Sequence, residues 1–358
     1  MEAEFIRVTA RVRPAATKEE RIVNEQIFED LASRIIDGCV DGYNGTVFAY
    51  GQTGSGKTHT MFGPPNVENS LLDCQQRGLM PRACEALFKK LCTRVAENFT
   101  YEVFCRFVEL YNEEFYDLLG SPQQKLSIRR CSVTWCIRTQ SPILEIGCDA
   151  RRTAETAMNR ESSRSHSIFI VDVKTEELVN TIVNKKCATL NLVDLAGSER
   201  QTQSKVFGDR FKEAISINLS LTVLGRVIRT LSDMSRRDEH IPYRDSKLTH
   251  ILRDSLGGNS RTAVIVNVHP EKGYYSDTLS TLQFAAACRK IENRVRANED
   301  LAGGTIMAYK AEIAHLREEL RSIEEKTRSG VLISFVYSNY ELTLYNRTSR
   351  TEVESVSD

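Results

Sequence analysis

The sequence predicts an α/β fold in layers, with a mainly parallel inner sheet and helices on both faces. Three observations carry this reading. A phosphate-binding loop, Gly51-Gln52-Thr53-Gly54-Ser55-Gly56-Lys57-Thr58, follows the apolar run Val47-Phe48-Ala49-Tyr50 and precedes His59-Thr60-Met61-Phe62, which can open a helix. Strand, glycine turn and helix form the context that the motif needs. A second apolar run, Ala188 to Val193, ends on the acid Asp194. Around both, strand-like and helix-like segments alternate along most of the chain.

The elements follow in order. Phe5 to Pro14 alternates apolar and polar residues and reads as one strand closed by proline. Ile27, Leu31, Ile35 and Ile36 recur at helical spacing and lead to the turn Gly42-Tyr43-Asn44-Gly45. Pro81 to Leu91 reads as a helix with Ala83, Leu87 and Leu91 on one side. Tyr101 to Tyr111, rich in aromatic and β-branched residues, is expected as a central strand. Leu126 to Ile128 and Val133 to Ile137 suggest small edge strands. Ser167 to Val173 and Ala188 to Asp194 are further strands. Phe211 to Leu231 carries Ile215, Leu219, Thr222 and Val223 at helical spacing, a long helix. Thr262 to Val268 is a last buried strand, and Ser276 to Arg289 the helix after it.

Past Arg296 the pattern changes. Ile306, Ile313 and Leu320 fall seven apart, with Tyr309, Leu316 and Ile323 three positions later. That is the seam of a short coiled coil over residues 305–328, or the apolar face of a helix docked on the domain. From Ser329 the chain holds a short apolar patch and then Ser, Thr and Asn, a tail expected to be disordered at its end.

Composition bounds the function. The 358 residues suit one large domain or two ordinary ones, and 41 % apolar content supplies a core. Lys and Arg number 48 against 48 acids, so the chain gives no nucleic-acid signal and any basic face must be local. The ten Cys include no C-x-x-C pair and the six His do not cluster, which excludes a zinc framework. Reduced cysteines point to an intracellular protein. No apolar run is long enough to span a bilayer, and no signal-peptide core follows Met1.

The chemistry lies in three motifs. In the first, the glycines let backbone N–H groups converge on phosphate oxygens. Lys57 would reach the β- and γ-phosphates, and the Thr58 hydroxyl would sit on Mg²⁺. The second is Asp194-Leu195-Ala196-Gly197-Ser198-Glu199-Arg200. An acid at a strand's end suits the aspartate that holds Mg²⁺, and the Gly197 N–H can approach a γ-phosphate. The third is Asn159-Arg160-Glu161-Ser162-Ser163-Arg164-Ser165-His166. Asn159, Ser162 and Ser163 offer donors and acceptors to a γ-phosphate, to Mg²⁺ and to an attacking water, while Arg164 and Glu199 can close a gate across the site. In-line phosphoryl transfer needs positioning more than a strong base. Alone, each motif also reads as a turn or a serine-rich loop; side by side they do not.

Together the three motifs closely resemble those of the kinesin superfamily, with the segment Ser162 to His166 as switch I and Asp194 to Glu199 as switch II. Tyr43 to Thr46, Glu109 to Glu113, Tyr116 to Leu119, Tyr243 to Thr249, Asp254 to Asn259 and Thr278 to Ala285 fit the same family. Ser70 to Gly78 and Val295 to Asp300 look most like the kinesin-12 group. The resemblance runs from about Ile6 to Asp300.

It implies a P-loop NTPase with a kinesin-like motor domain over residues 1–288, a neck linker over 289–304 and the C-terminal helix beyond. It implies a microtubule-stimulated ATPase using Mg·ATP, with Arg11 and Pro14 bordering the base and His59 among the nucleotide-binding residues. It also implies a spindle-associated, cytoskeletal, plus-end-directed motor, able to pair two heads through residues 305–328. The filament contact would use Lys205, Arg210, Lys212, Arg236, Arg237, Arg244, Lys247 and Arg253 against acidic tubulin. Two segments are short against the family pattern, between Pro14 and Gln26 and between Ile137 and Arg151. Leu219 and Glu292 replace basic residues usual there. A microtubule-binding module without turnover is the rival reading; a small-molecule P-loop kinase lacks an acceptor lid here.

Overall fold

The computed structural model describes residues 2–14, 20–64, 77–94, 98–120, 125–126, 135–136, 163–179, 182–199, 209–233, 240–299, 303–329, 337–338 and 341–342. It divides into two units, residues 1–179 with 184–300, and residues 180–183 with 301–358.

The strand expected from Phe5 to Pro14 is two strands. Strand β1 (Glu2–Phe5) pairs antiparallel with residues 292–295, whereas β2 (Arg7–Val12) pairs parallel with residues 263–268. The break falls at Ile6, whose side chain is buried and whose N–H donates to the Ile291 carbonyl. Helix α1 (Glu20–Ile27), a π turn (Phe28–Ala32) and α2 (Ser33–Val40) follow without interruption. Ile27, Leu31, Ile35 and Ile36 are all buried, as their spacing predicts. The wide π turn was not legible from that spacing.

Strand β3 (Gly45–Gly51) runs into the phosphate loop and α3 (Lys57–Met61). Then come α4 (Leu79–Arg94), β4 (Phe99–Tyr111), β5 (Glu114–Asp117), β6 (Lys125–Leu126), β7 (Trp135–Cys136), β8 (His166–Val179) and β9 (Ile182–Asp194). Helix α5 (Asp209–Ser232), α6 (Lys247–Ile251), β10 (Arg261–Val268), α7 (Tyr275–Cys288), β11 (Glu292–Val295) and β12 (Asn298–Glu299) complete the first unit.

The main sheet runs β2-β10-β3-β9-β8-β4-β5-β6, with β12 on β9 and β7 on β4. Its β2-β10-β3-β9 part is parallel, and this part carries the phosphate loop. The β8-β4-β5-β6 part is antiparallel, so the sheet is mixed. Tyr101 to Tyr111 lies in the antiparallel wing as an interior strand, with β8 on one side and β5 on the other. In the parallel part, β10 and β3 are flanked on both sides, and Thr46 to Ala49 and Thr262 to Val268 are buried on both faces, as a covered parallel sheet requires. One apolar core joins α1, α2 and α4 to Phe107, Phe169 and Leu192 on one face. The other joins α5, α6 and α7 to Phe48, Leu195 and Val264.

Residues 289–299 belong to the first unit, where β11 pairs with β1 and β12 with β9. In the second unit, α8 (Gly303–Ser329) forms where the seam predicts a helix, and Tyr309, Ile313, Leu316 and Leu320 are exposed. A small pairing of β13 (Tyr337–Ser338) with β14 (Glu341–Leu342) lies in the expected disordered tail.

Candidate functional site

The phosphate loop leaves the buried end of β3 and turns twice through left-handed glycines, Gly54 (φ 78°) and Gly56 (φ 98°). A side chain at either would strain the backbone that must face a ligand. The Gln52 carbonyl stiffens the turn, accepting from Ser55 N–H at 3.2 Å, Ser55 Oγ at 2.7 Å and Lys57 Nζ at 2.9 Å. Lys57 is therefore buried with its ammonium held over the loop.

Thr58 Oγ1 donates to Asp194 Oδ2 at 2.8 Å. This contact joins the first motif to the second. The pairing of β3 with β9 sets it up, since Ala49 and Asp194 stand in register. A threonine hydroxyl and a carboxylate are hard oxygen donors, the set that suits Mg²⁺ held mainly by substrate phosphates. Among the described residues no cluster of three His, Cys, Asp or Glu forms an all-protein metal cage.

The loop after Asp194 lies against the phosphate loop. Ser198 N–H donates to the Gly51 carbonyl at 3.0 Å, and Gly197 N–H to the Ser163 carbonyl at 2.9 Å. The sequence had given the Gly197 N–H to a γ-phosphate; here its acceptor is the third motif. Glu199, expected opposite Arg164, accepts from Thr53 N–H at 2.8 Å and from Thr53 Oγ1 at 2.5 Å. Its carboxylate thus lies on the loop itself. Ser163 and Arg164 are half-buried, and Asn159 and Ser162 lie outside the described residues.

A cavity of about 310 Å³ opens here, lined by Arg11, Arg13, Pro14, Thr53, Gly54, Gly56, Lys57, Thr58, His59 and Ser163. Arg11 borders it, but its guanidinium supports the loop from beneath. Nη1 donates to Thr60 Oγ1 at 2.8 Å and to the Gly56 carbonyl at 3.3 Å, and Nη2 lies 3.3 Å from His59 Nδ1. Arg13 Nη1 donates to the Gly54 carbonyl at 2.7 Å. Thr60 and Asn267 complete this support, with Asn267 Nδ2 donating to Thr60 Oγ1 at 2.8 Å. Sequence reasoning missed both. The only trace was an asparagine near the end of an apolar strand.

Tyr50, just before the loop, stacks on Phe284 of α7 with ring centroids 3.7 Å apart. Burial pushes its phenol up to about 12, against the lowering effect of a hydrogen bond with the Ser198 side chain.

The expected basic face is only partly described. Arg244 is exposed, and so is Arg253, whose Nε lies 3.5 Å from Asp254 Oδ1. Lys247 is half-buried: Nζ donates to Glu114 Oε2 at 2.9 Å, and its own N–H donates to Glu113 Oε2 at 2.6 Å. It ties α6 to the β4–β5 turn. Arg210 and Lys212 lie on α5, with side chains outside the described set. Lys205, Arg236 and Arg237 also lie outside the described residues. Among the described residues no helix is long and apolar enough to cross a membrane.

The family profile described as "Kinesin motor domain" matches residues 11–291. Kinesin-like protein KIF15-B of Xenopus laevis is 42% identical over 339 residues, covering 89% of this chain and 24% of that protein. Human Kinesin-like protein KIF15 is 44% identical over 315 residues, covering 84% of this chain and 22% of that protein. Kinesin-like protein KIN-12C of Arabidopsis thaliana is 40% identical over 358 residues, covering 95% and 17%. This chain therefore spans less than a quarter of the length of these relatives. Among solved structures, a fast kinesin aligns with a TM-score of 0.71 at 34% identity, covering 83% of this chain and 95% of that one. A KIF14 dimer with AMP-PNP in complex with a microtubule also scores 0.71, at 33% identity, covering 86% of this chain and 100% of that one.

Proposed function

Because the chain belongs to the kinesin motor-domain family, we propose that it is a microtubule-stimulated ATPase that turns hydrolysis of Mg·ATP into movement along microtubules. The observation that carries this reading is the convergence on one loop. Asp194 meets Thr58, Ser198 meets Gly51 and Glu199 meets Thr53, while Gly197 meets Ser163.

Thr58 and Asp194 would hold the metal, which when bound would supply charge neutralisation on the phosphates. Lys57 leaves the Gln52 carbonyl for the terminal phosphates. Gly197 exchanges the Ser163 carbonyl for a γ-phosphate oxygen, and Ser163 with Asn159 and Ser162 closes over it. Glu199 releases Thr53 and pairs with Arg164 to shut the gate. A positioned water then attacks the γ-phosphorus, the bond to the ADP oxygen breaks, and phosphate leaves. Pro14 and His59 face the base. Helix α5 passes the change to a filament face that includes Arg244 and Arg253, and β11 and β12 act as the neck. A second copy pairs through the exposed seam of α8. Movement toward the plus end on the spindle completes the reading, supported by the neck's place after α7 and by the likeness to kinesin-12 relatives.

Steady-state ATP turnover with and without microtubules tests it. Turnover is expected to rise with microtubules and to vanish in Lys57→Ala. Folded protein that binds microtubules without hydrolysing ATP would overturn it. Polarity-marked gliding reads the direction.

A further inference from the structure

His166 closes the serine-rich motif, and the phosphoryl chemistry above does not use it. It opens β8 and is only 2% exposed. The Ala196 N–H donates to its Nδ1 at 3.0 Å. Its Nε2 lies 2.8 Å from Ser220 Oγ, on a buried turn of α5. A backbone N–H can only donate, so Nδ1 carries a lone pair. The ring is therefore neutral, with its proton on Nε2 and donated to Ser220.

That tautomer places one rigid ring between three parts. Behind it, three residues away, is Ser163, whose carbonyl accepts from Gly197 N–H. On one edge is Ala196, the residue before Gly197. On the other edge is α5. We infer that His166 is a positioning residue that couples the loop holding Gly197 to α5, so that the exchange of partner at Gly197 is felt at the helix. When Gly197 turns from Ser163 to a terminal phosphate, the Ala196 amide turns with it. The imidazole has no internal torsion between its two nitrogens, so it carries that displacement to Ser220. Both partners are buried, and a broken bond there leaves a donor or acceptor without water. This inference rests on the proposed motor reading, and it names the side chain through which nucleotide state reaches the filament helix.

The test is a double-mutant cycle, because position between two sites does not by itself demonstrate coupling. Ser220→Ala removes the hydroxyl that the Nε2 bond needs. His166→Asn keeps an acceptor near the Nδ1 position and cannot reach Ser220. The readout is the ratio of microtubule affinities with a non-hydrolysable ATP analogue and with ADP, beside nucleotide affinity and basal turnover. Ser220→Ala is expected to leave basal turnover and nucleotide affinity unchanged and to shrink the ratio about tenfold, the scale of a typical coupling. The double variant is expected to match the worse single, since both break one link. A wild-type ratio in Ser220→Ala, or effects of the two changes that multiply, would overturn the inference. Absence of microtubule stimulation in the unaltered protein would instead count against the motor reading, and is measured first.

Discussion

A Cβ built at Gly197 meets the Thr53 hydroxyl and both Glu199 carboxylate oxygens. All three are side-chain ends, so the extra carbon disrupts the Glu199–Thr53 contact and crowds the loop beside the phosphate site. Gly197→Ala is expected to lower ATP turnover at least about a hundredfold, the scale seen on losing one donor to a developing charge, while a fluorescent nucleotide still binds. Stopped-flow binding and steady-state turnover on one sample separate the two effects. A second residue-scale prediction concerns alkali. Burial raises the Cys39 thiol from 9.0 to about 12 and the Tyr50 and Tyr243 phenols from 10.0 to about 12. The fold thus favours their protonated forms. Their contribution is present below the unfolded values, and it is lost as pH rises from about 9 to 12. Melting temperature should hold up to pH 9 and then fall through that window, and Cys39 should resist alkylation at pH 8 until the chain unfolds.

At the scale of elements, one side chain of β11 ties it to the neighbouring loop and β10, besides its pairing with β1. Asn293 Oδ1 accepts from Gly257 N–H at 2.7 Å, and Nδ2 donates to the Ser260 carbonyl at 2.6 Å, the Ser255 carbonyl at 3.1 Å and Thr262 Oγ1 at 3.1 Å. Asn293→Ala leaves several of these groups buried and unpaired. It should cost about 2 kcal/mol in urea unfolding, and proteases should cut at residues 292–295 first. The β4–β5 turn works the same way on α6. Asn112 and Glu113 both take left-handed backbone angles, and this aims Glu113 at Ser246 Oγ and Lys247 N–H. Helices α4, α5 and α7 were legible because their apolar residues recur at helical spacing. The split at Ile6 and the pairing of Lys247 with Glu114 were not, since each is decided by a partner distant in sequence.

At the scale of the whole molecule, the two units carry separate predictions. Tyr309, Ile313, Leu316 and Leu320 leave an apolar seam exposed on α8, and exposed apolar stripes of this spacing favour pairing. Sedimentation should show a concentration-dependent dimer, abolished by Ile313→Glu with Leu320→Glu. Ending the chain at residue 300 should leave the melting of the first unit unchanged.

The sequence by itself determined the phosphate loop, the metal-side acid and the α/β order. Each is written locally, in glycine spacing, a strand that ends on Asp194, or a helical repeat. Only the tertiary structure decided which groups hold the loops in place. Gly197 bonds Ser163, Glu199 bonds Thr53 and His166 bonds Ala196 and Ser220. Such bonds depend on strand register and on burial away from water, and chain spacing records neither.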